Sequence, residues 1–286
     1  MRVLYIMGAF YLTALFLLWA GRQGKVSRRL AAVVSVFCLL AGSGVLAAAV
    51  FPFGNSYGTT VTRLTDLSGS AKIPAPASGV AGQTVAAGNG NYIALTFDDG
   101  PYPPYTDRLL DVLKEKKTNV TFFLVAEQAQ KYPELVKRMV AEGHTVGLHA
   151  FRHRDFLKLA EEEKQQELSL GKKTLQEITG KEPLYWRPPH GFRDTSVMEL
   201  ARQEGLTVVN WSMTPRDWTG IDKQEIYDRV MDKVAEDAIV LLHDGDSPYY
   251  QASRQATEEA VALLIDSLRE KGYHLVSLEE YVRNNR

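Results

Sequence analysis

The chain has 286 residues, 33 Lys+Arg against 34 Asp+Glu for a formal net charge of -1, and 45% hydrophobic residues. That balance excludes a nucleic-acid binder, which needs a basic excess, and the length allows one or two domains. The single cysteine, Cys38, excludes an intrachain disulfide framework and a cysteine-built zinc site, so any metal here is held by His, Asp or Glu.

Residues 1–53 stand apart in composition. The runs 3–20 and 30–53 are almost wholly apolar and near the roughly 20 residues that a helix needs to span hydrocarbon. Between them Arg22, Lys25, Arg28 and Arg29 stand without an acidic neighbour. Positive charge holds such a loop on the cytoplasmic side, which sends everything after residue 53 to the outer face. The expectation is a two-helix membrane anchor over 1–53 with an extracytoplasmic domain beyond it. The rival reading is a signal sequence cleaved after Ala47–Ala49, which exports the same domain without a tether. Residues 54–90, rich in Gly, Ser, Thr, Ala and Pro, read as a flexible linker.

From residue 91 short β-branched runs alternate with longer amphipathic stretches, the pattern of βα units. Strands are expected over 92–97, 120–125, 145–148, 184–187, 207–211, 238–242 and 273–276. Helices are expected over 106–117, 133–142, 161–179, 196–204, 223–234 and 253–271. Seven strands joined by helical crossovers give a mostly parallel sheet, open or closed, whose function gathers in the loops after the strands' C-terminal ends. Five polar clusters fall at those places: "TFDDG" with Asp98 and Asp99, "HAFRH" with His149 and His153, "RPPHG" from Arg187, "RDW" with Asp217 and Trp218, and "LLHDG" with His243.

Asp-Asp-Gly-Pro alone is ordinary turn chemistry. Two histidines four apart, however, can reach one ion, and two imidazoles with one carboxylate leave room on that ion for water and substrate. Either Asp98 or Asp99 can supply the carboxylate, and spacing does not decide between them.

Taken in order, the five motifs resemble the polysaccharide deacetylases, carbohydrate esterase family 4 or the NodB homology domain, over 91–286. The resemblance implies an α/β fold, an irregular (β/α) barrel of about seven parallel strands, here preceded by two N-terminal transmembrane helices. It implies removal of N-acetyl groups from N-acetylhexosamines in peptidoglycan or an extracellular polysaccharide. Asp99, His149 and His153 then match the ligands of a divalent metal, zinc first, with cobalt or another first-row ion as alternatives. Asp98 matches the general base and Arg187 the residue that pairs with it. His243 matches the general acid and Asp217 the carboxylate that keeps it protonated. The His190 amide matches an oxyanion donor, Leu241 an acetate-pocket wall, and Trp218 that wall or a stacking surface for sugar.

Two positions depart from the family pattern, Ala150 where Ser or Thr is usual and Thr214 where Asp is frequent. Trp186, Trp211, Tyr102, Tyr249 and Tyr250 read as packing or surface, and His144 and His274 as structural. The partners implied are an acetylated glycan and a membrane, with no nucleic acid and no protein partner. The competing functions are an O-acetyl esterase using the same site and a catalytically silent glycan-binding domain.

Overall fold

The structure, a computed structural model, describes residues 2–50, 57–67, 91–246 and 253–285. Helices α1 (Arg2–Arg22) and α2 (Arg28–Val50) form an antiparallel hairpin. Small residues allow their close approach: Ala14 and Ala31 are buried between them, and a Cβ on Gly42 would stand 3.2 Å from the Phe10 Cβ. Ser35 Oγ donates to the Ala14 carbonyl at 3.0 Å. Leu12, Phe16, Val33, Phe37 and Leu40 point outward and exposed, as lipid-facing side chains do. Both helices are long and apolar enough to span a bilayer.

The remaining elements are β1 (Tyr92–Asp98), α3 (Tyr105–Glu115), β2 (Thr121–Val125), α4 (Ala126–Lys131), α5 (Pro133–Ala141) and β3 (Thr145–Ala150), then α6 (Glu161–Thr179), β4 (Tyr185–Trp186) and α7 (Thr195–Gln203). The chain continues with β5 (Thr207–Val208), α8 (Lys223–Met231), β6 (Ala238–His243), α9 (Gln255–Glu270), β7 (His274–Leu275) and α10 (Leu278–Asn284). All strand pairings are parallel, in the order β5-β4-β3-β2-β1-β6, with β7 also pairing β1. The sheet curls on itself, because Met213, beyond β5, bridges Val240 of β6. All seven expected strands are present, whereas α4 and α10 were not expected. Both are too short to show a clear helical period in sequence.

The two-residue period of each strand sorts side chains to the two faces of this sheet. Ile93, Leu95 and Phe97 join the core under the helices, while Tyr92 and Ala94 face the barrel interior. Continuing that alternation places Thr96 and Asp98 on the inner face. The same parity sends Ile239, Leu241 and then His243 inward on β6, with Val240 and Leu242 outward. On β3, Leu148 and Ala150 belong to the outer core, so His149 faces in.

One expectation is corrected. Residues 57–67 are not a flexible linker. Val61 N–H donates to the Val208 carbonyl at 2.9 Å and the Val61 carbonyl accepts from Asn210 N–H at 2.8 Å. Val61, Leu64 and Leu67 are buried with Val209, Ile239 and Leu278 in the barrel's inner core. Three aliphatic residues in a Thr-rich stretch carry no sustained period, so only the gap they fill reveals their role. Residues 51–56 and 68–90 lie outside the described residues.

Candidate active site

Four motifs sit at the C-terminal ends of their strands and "RDW" in a turn beyond β5, and the curl of the sheet brings all five to one cavity of about 580 Å³. Asp98, Asp99, His149, His153, His190, Trp218, Leu241 and His243 line it. Arg187 and Asp217 stand behind that lining, each holding a residue that faces the cavity.

Arg187 is fully buried. Its Nη1 donates to Asp98 Oδ1 at 2.7 Å and to Thr96 Oγ1 at 2.9 Å. Nε and Nη2 donate to the carbonyls of Val209 and Asn210 at 3.0 and 2.8 Å. The guanidinium lies over the Phe123 ring, 4.1 Å from its centroid. Burying a cation is tolerable only when it is paired and hydrogen-bonded in this way. The result is one Asp98 oxygen engaged by Arg187 in a dry setting, with Asp98 still lining the cavity.

Asp99 is turned differently. It has φ 75°, in the left-handed region, which swings its carboxylate away from the direction of β1. Asp99 Oδ1 lies 3.3 Å from His149 Nε2 and 3.2 Å from His153 Nε2. This oxygen is buried and has no hydrogen-bond partner. By contrast, Asp98 Oδ2 stands 4.0 Å from His149 Nε2. His149 Nδ1 is 2.6 Å from the Arg187 carbonyl. A proton on Nδ1 satisfies that contact and leaves the Nε2 lone pair facing Asp99. One ligand atom from each of Asp99, His149 and His153 lies within 4.8 Å of the others. Acceptor atoms crowding one buried point, with a carboxylate oxygen otherwise orphaned, fit a divalent cation. Of the two aspartates, the geometry therefore turns Asp99 and not Asp98 toward the histidine pair.

Strain concentrates here. Asp99, His153, His190 and Arg216, all in motif loops, have φ of 75°, 54°, 60° and 63°. Non-glycine residues in that region each cost about 1–3 kcal/mol and persist where surrounding contacts hold them. One such contact is the loop after β6: Asp244 and Gly245 donate their N–H groups to the Asp98 carbonyl at 3.2 and 3.3 Å. A Cβ on Gly245 would lie 2.3 Å from the Asp99 backbone, so position 245 admits no side chain.

Across the cavity, His243 Nδ1 is 2.9 Å from Asp217 Oδ1, and His243 N–H donates to Asp217 Oδ2 at 2.8 Å. Thr257 Oγ1 donates to the same Oδ2 at 3.0 Å. Burial alone would push the His243 imidazole down. The Asp217 carboxylate, helped by Asp99 and Asp98, instead carries it up to about 9. Trp218 packs edge-on against His243 with centroids 5.1 Å apart, and Leu241 lies one inward position before it on β6.

The two departures are accommodated locally. Ala150 is fully buried in the outer core, and Thr214 Oγ1 accepts from Arg216 N–H at 3.1 Å. Trp186, expected as packing, donates its indole N–H to the His149 carbonyl at 2.9 Å. His144 accepts from Val120 N–H, and His274 packs on Tyr92 at the sheet edge. Tyr102 stacks on Tyr105, whereas Tyr249 and Tyr250 lie outside the described residues. Trp211, expected to be packing, also lines the cavity, as do Asp246 and Arg254. Asp246 and Arg254 pair at 2.8 Å. No motif flagged that pair, although "HDGD" directly follows the strand end. Thr96 was legible as the inward position two before Asp98.

The chain is similar to known proteins in sequence and fold. A polysaccharide deacetylase family model matches residues 86–209. A peptidoglycan-N-acetylglucosamine deacetylase of Bacillus cereus is 36% identical over 197 residues, covering 68% of this chain and 90% of that one. The chain belongs to the polysaccharide deacetylase family. A chitooligosaccharide deacetylase of Bradyrhizobium is 34% identical over 66% of this chain and 89% of its own length. The solved structure of the peptidoglycan deacetylase PdaC from Bacillus subtilis superposes with a TM-score of 0.61 at 33% identity, covering 68% of this chain and 92% of that one. Members of the family are metal-dependent, and Asp99, His149 and His153 form a cluster that could hold such an ion.

Proposed function

We infer that this chain is a metal-dependent N-deacetylase of cell-wall glycan, acting on N-acetylhexosamine residues. The observation that carries the reading is one cavity with a charge-held carboxylate, Asp98 on Arg187, and a charge-held imidazole, His243 on Asp217, either side of a three-ligand cluster. A divalent ion on Asp99, His149 and His153 would polarise the acetyl carbonyl and acidify the attacking water. The two imidazoles and one carboxylate favour zinc among such ions.

The protein's own groups supply the proton traffic. Arg187 holds the Asp98 carboxylate in place through its 2.7 Å hydrogen bond, so that Asp98 accepts the proton from water as its oxygen attacks the acetyl carbon. As the C–N bond breaks, His243 gives its proton to the nitrogen, and acetate and the free amine leave. Asp217 serves by keeping that imidazole charged. Leu241 and Trp218 wall the space for the acetyl group, and the His190 amide supplies a donor for the developing oxyanion.

An O-acetyl esterase could use the same cavity. An alkoxide leaves more readily than an amine, however, so the investment in a charged His243 favours the amide. The domain is placed on the extracytoplasmic side of the membrane, where acetylated glycans are, on the strength of the basic loop between α1 and α2. The test is acetate release by purified full-length protein from peptidoglycan, chitooligosaccharides and acetylated xylan, with metal content measured in parallel. Release from the first two supports the reading. Release from xylan alone would replace it with the esterase, and release from none would leave a glycan-binding domain.

A further inference from the structure

The anchor and the catalytic domain meet at one place. Arg193 N–H donates to the Ala49 carbonyl at 3.0 Å, and the Tyr57 hydroxyl donates to the Val45 carbonyl at 3.2 Å. Ala49 is buried against Leu157, with Tyr57 and Phe192 packed around them. Neither contact on the domain is remote from the chemistry. Leu157 lies in the turn just after His153. The Phe192 ring is 5.1 Å from His190, whose ring is 5.0 Å from His153. The end of α2 therefore abuts the His190 side of the cavity rim.

Chain length restricts the domain independently of that contact. Residues 57–67 are held on the barrel by the Val61 hydrogen bonds and by Leu64 N–H donating to the Asp237 carbonyl at 2.9 Å. Val61, Leu64 and Leu67 bury their side chains in the barrel's inner core and keep the segment docked. Residues 51–56 alone then join α2 to the domain, a reach of at most about 25 Å when fully extended. Residues 68–90 link two points of the same folded unit and add nothing to that reach. The 23-residue length of α2 brings the chain to the outer leaflet almost where the domain begins.

We propose that the enzyme works at the membrane surface, on N-acetylated glycan that is itself anchored to the outer leaflet through a lipid, and not on finished wall farther out. The proposal rests on the deacetylase and membrane-anchor readings above. The Ala49 contact is too small to hold the domain alone, so the short covalent link sets the placement.

The test uses full-length protein reconstituted in phospholipid vesicles. One form carries a 20-residue Gly-Ser insertion after Gly82, and another carries the same insertion after Gly54. Substrates are a lipid-linked N-acetylhexosamine oligosaccharide in the vesicles, the free oligosaccharide, and insoluble sacculi. Distance is read by energy transfer from a dye on Thr219→Cys, at the exposed cavity edge, to headgroup-labelled lipid, with Cys38→Ala in every form. The native linker and the Gly82 insertion should give equal, high transfer. Both should prefer the lipid-linked over the free oligosaccharide by at least tenfold, with sacculi poor. The Gly54 insertion should lower transfer and cut that preference at least fivefold, with turnover of the free oligosaccharide unchanged. Lowered transfer in the Gly82 form, unchanged preference in the Gly54 form, or sacculi processed as fast as lipid-linked glycan would each overturn the proposal. If no form releases acetate from any of the three substrates while transfer responds as expected, the deacetylase reading fails, and with it the substrate half of the proposal, and the membrane placement stands.

Discussion

Asp217→Asn isolates the electrostatic work done on the acid. The substitution keeps a side-chain oxygen that can accept from His243 N–H, now at 2.8 Å, and from Thr257 Oγ1, at 3.0 Å. It removes the charge that carries His243 up to about 9 against burial. Without that charge burial pulls the imidazole back toward its ordinary range near 6.5, although Asp99 and Asp98 still act upward. The sign follows directly. His243 works protonated, so a raised value extends activity to alkaline pH, and losing the raise pulls the alkaline limb toward neutrality. At pH 8 a full return would take the protonated fraction from about nine-tenths to about 3%, so the loss is at most roughly 30-fold, on values of about 9 and about 6.5. The assay is the pH profile of kcat for acetate release from a chitooligosaccharide, paired with the profile for an activated aryl acetate whose leaving group needs no proton. The amide profile should move down by up to about two pH units and the ester profile much less. An unmoved alkaline limb, or equal losses on both substrates, would refute the assignment of His243 and Asp217.

Asp98→Asn should retain fold and metal while kcat drops about 100-fold to 10,000-fold, because an amide cannot take the proton; turnover near the wild-type rate would place the base elsewhere. His153→Ala should lose stoichiometric metal, measured by elemental analysis, with the circular dichroism spectrum intact, since one of three ligands is gone. Arg187→Met should cost about 3–5 kcal/mol in denaturant unfolding, because it leaves Asp98 buried without its partner. Leu64→Ala should cost about 2–5 kcal/mol in the same assay, whereas no change would mean that residues 57–67 do not belong to the folded domain.

What the amino-acid order by itself determined is whatever near neighbours decide. The alternation Tyr92, Ala94, Thr96, Asp98 and the sequence Ile239, Leu241, His243 already say which side chains share a face, because strand period is a property of local backbone geometry. The motif set placed every proposed ligand and proton carrier at a strand end, and the two apolar runs with a basic loop between them marked two candidate spans. Assigning Asp99 to the metal needed the family resemblance, since spacing left both aspartates eligible. Only the tertiary structure supplied the physical reason: Arg187, 89 positions away, engages one oxygen of Asp98, and the left-handed turn at Asp99 aims the other carboxylate at both imidazoles. The Asp246–Arg254 pair on the cavity wall was equally out of reach, as was the docking of Val61, Leu64 and Leu67. Those facts depend on how a curled sheet closes and what gap it leaves. That closure joins Met213, beyond β5, to Val240 of β6, and no local pattern encodes it.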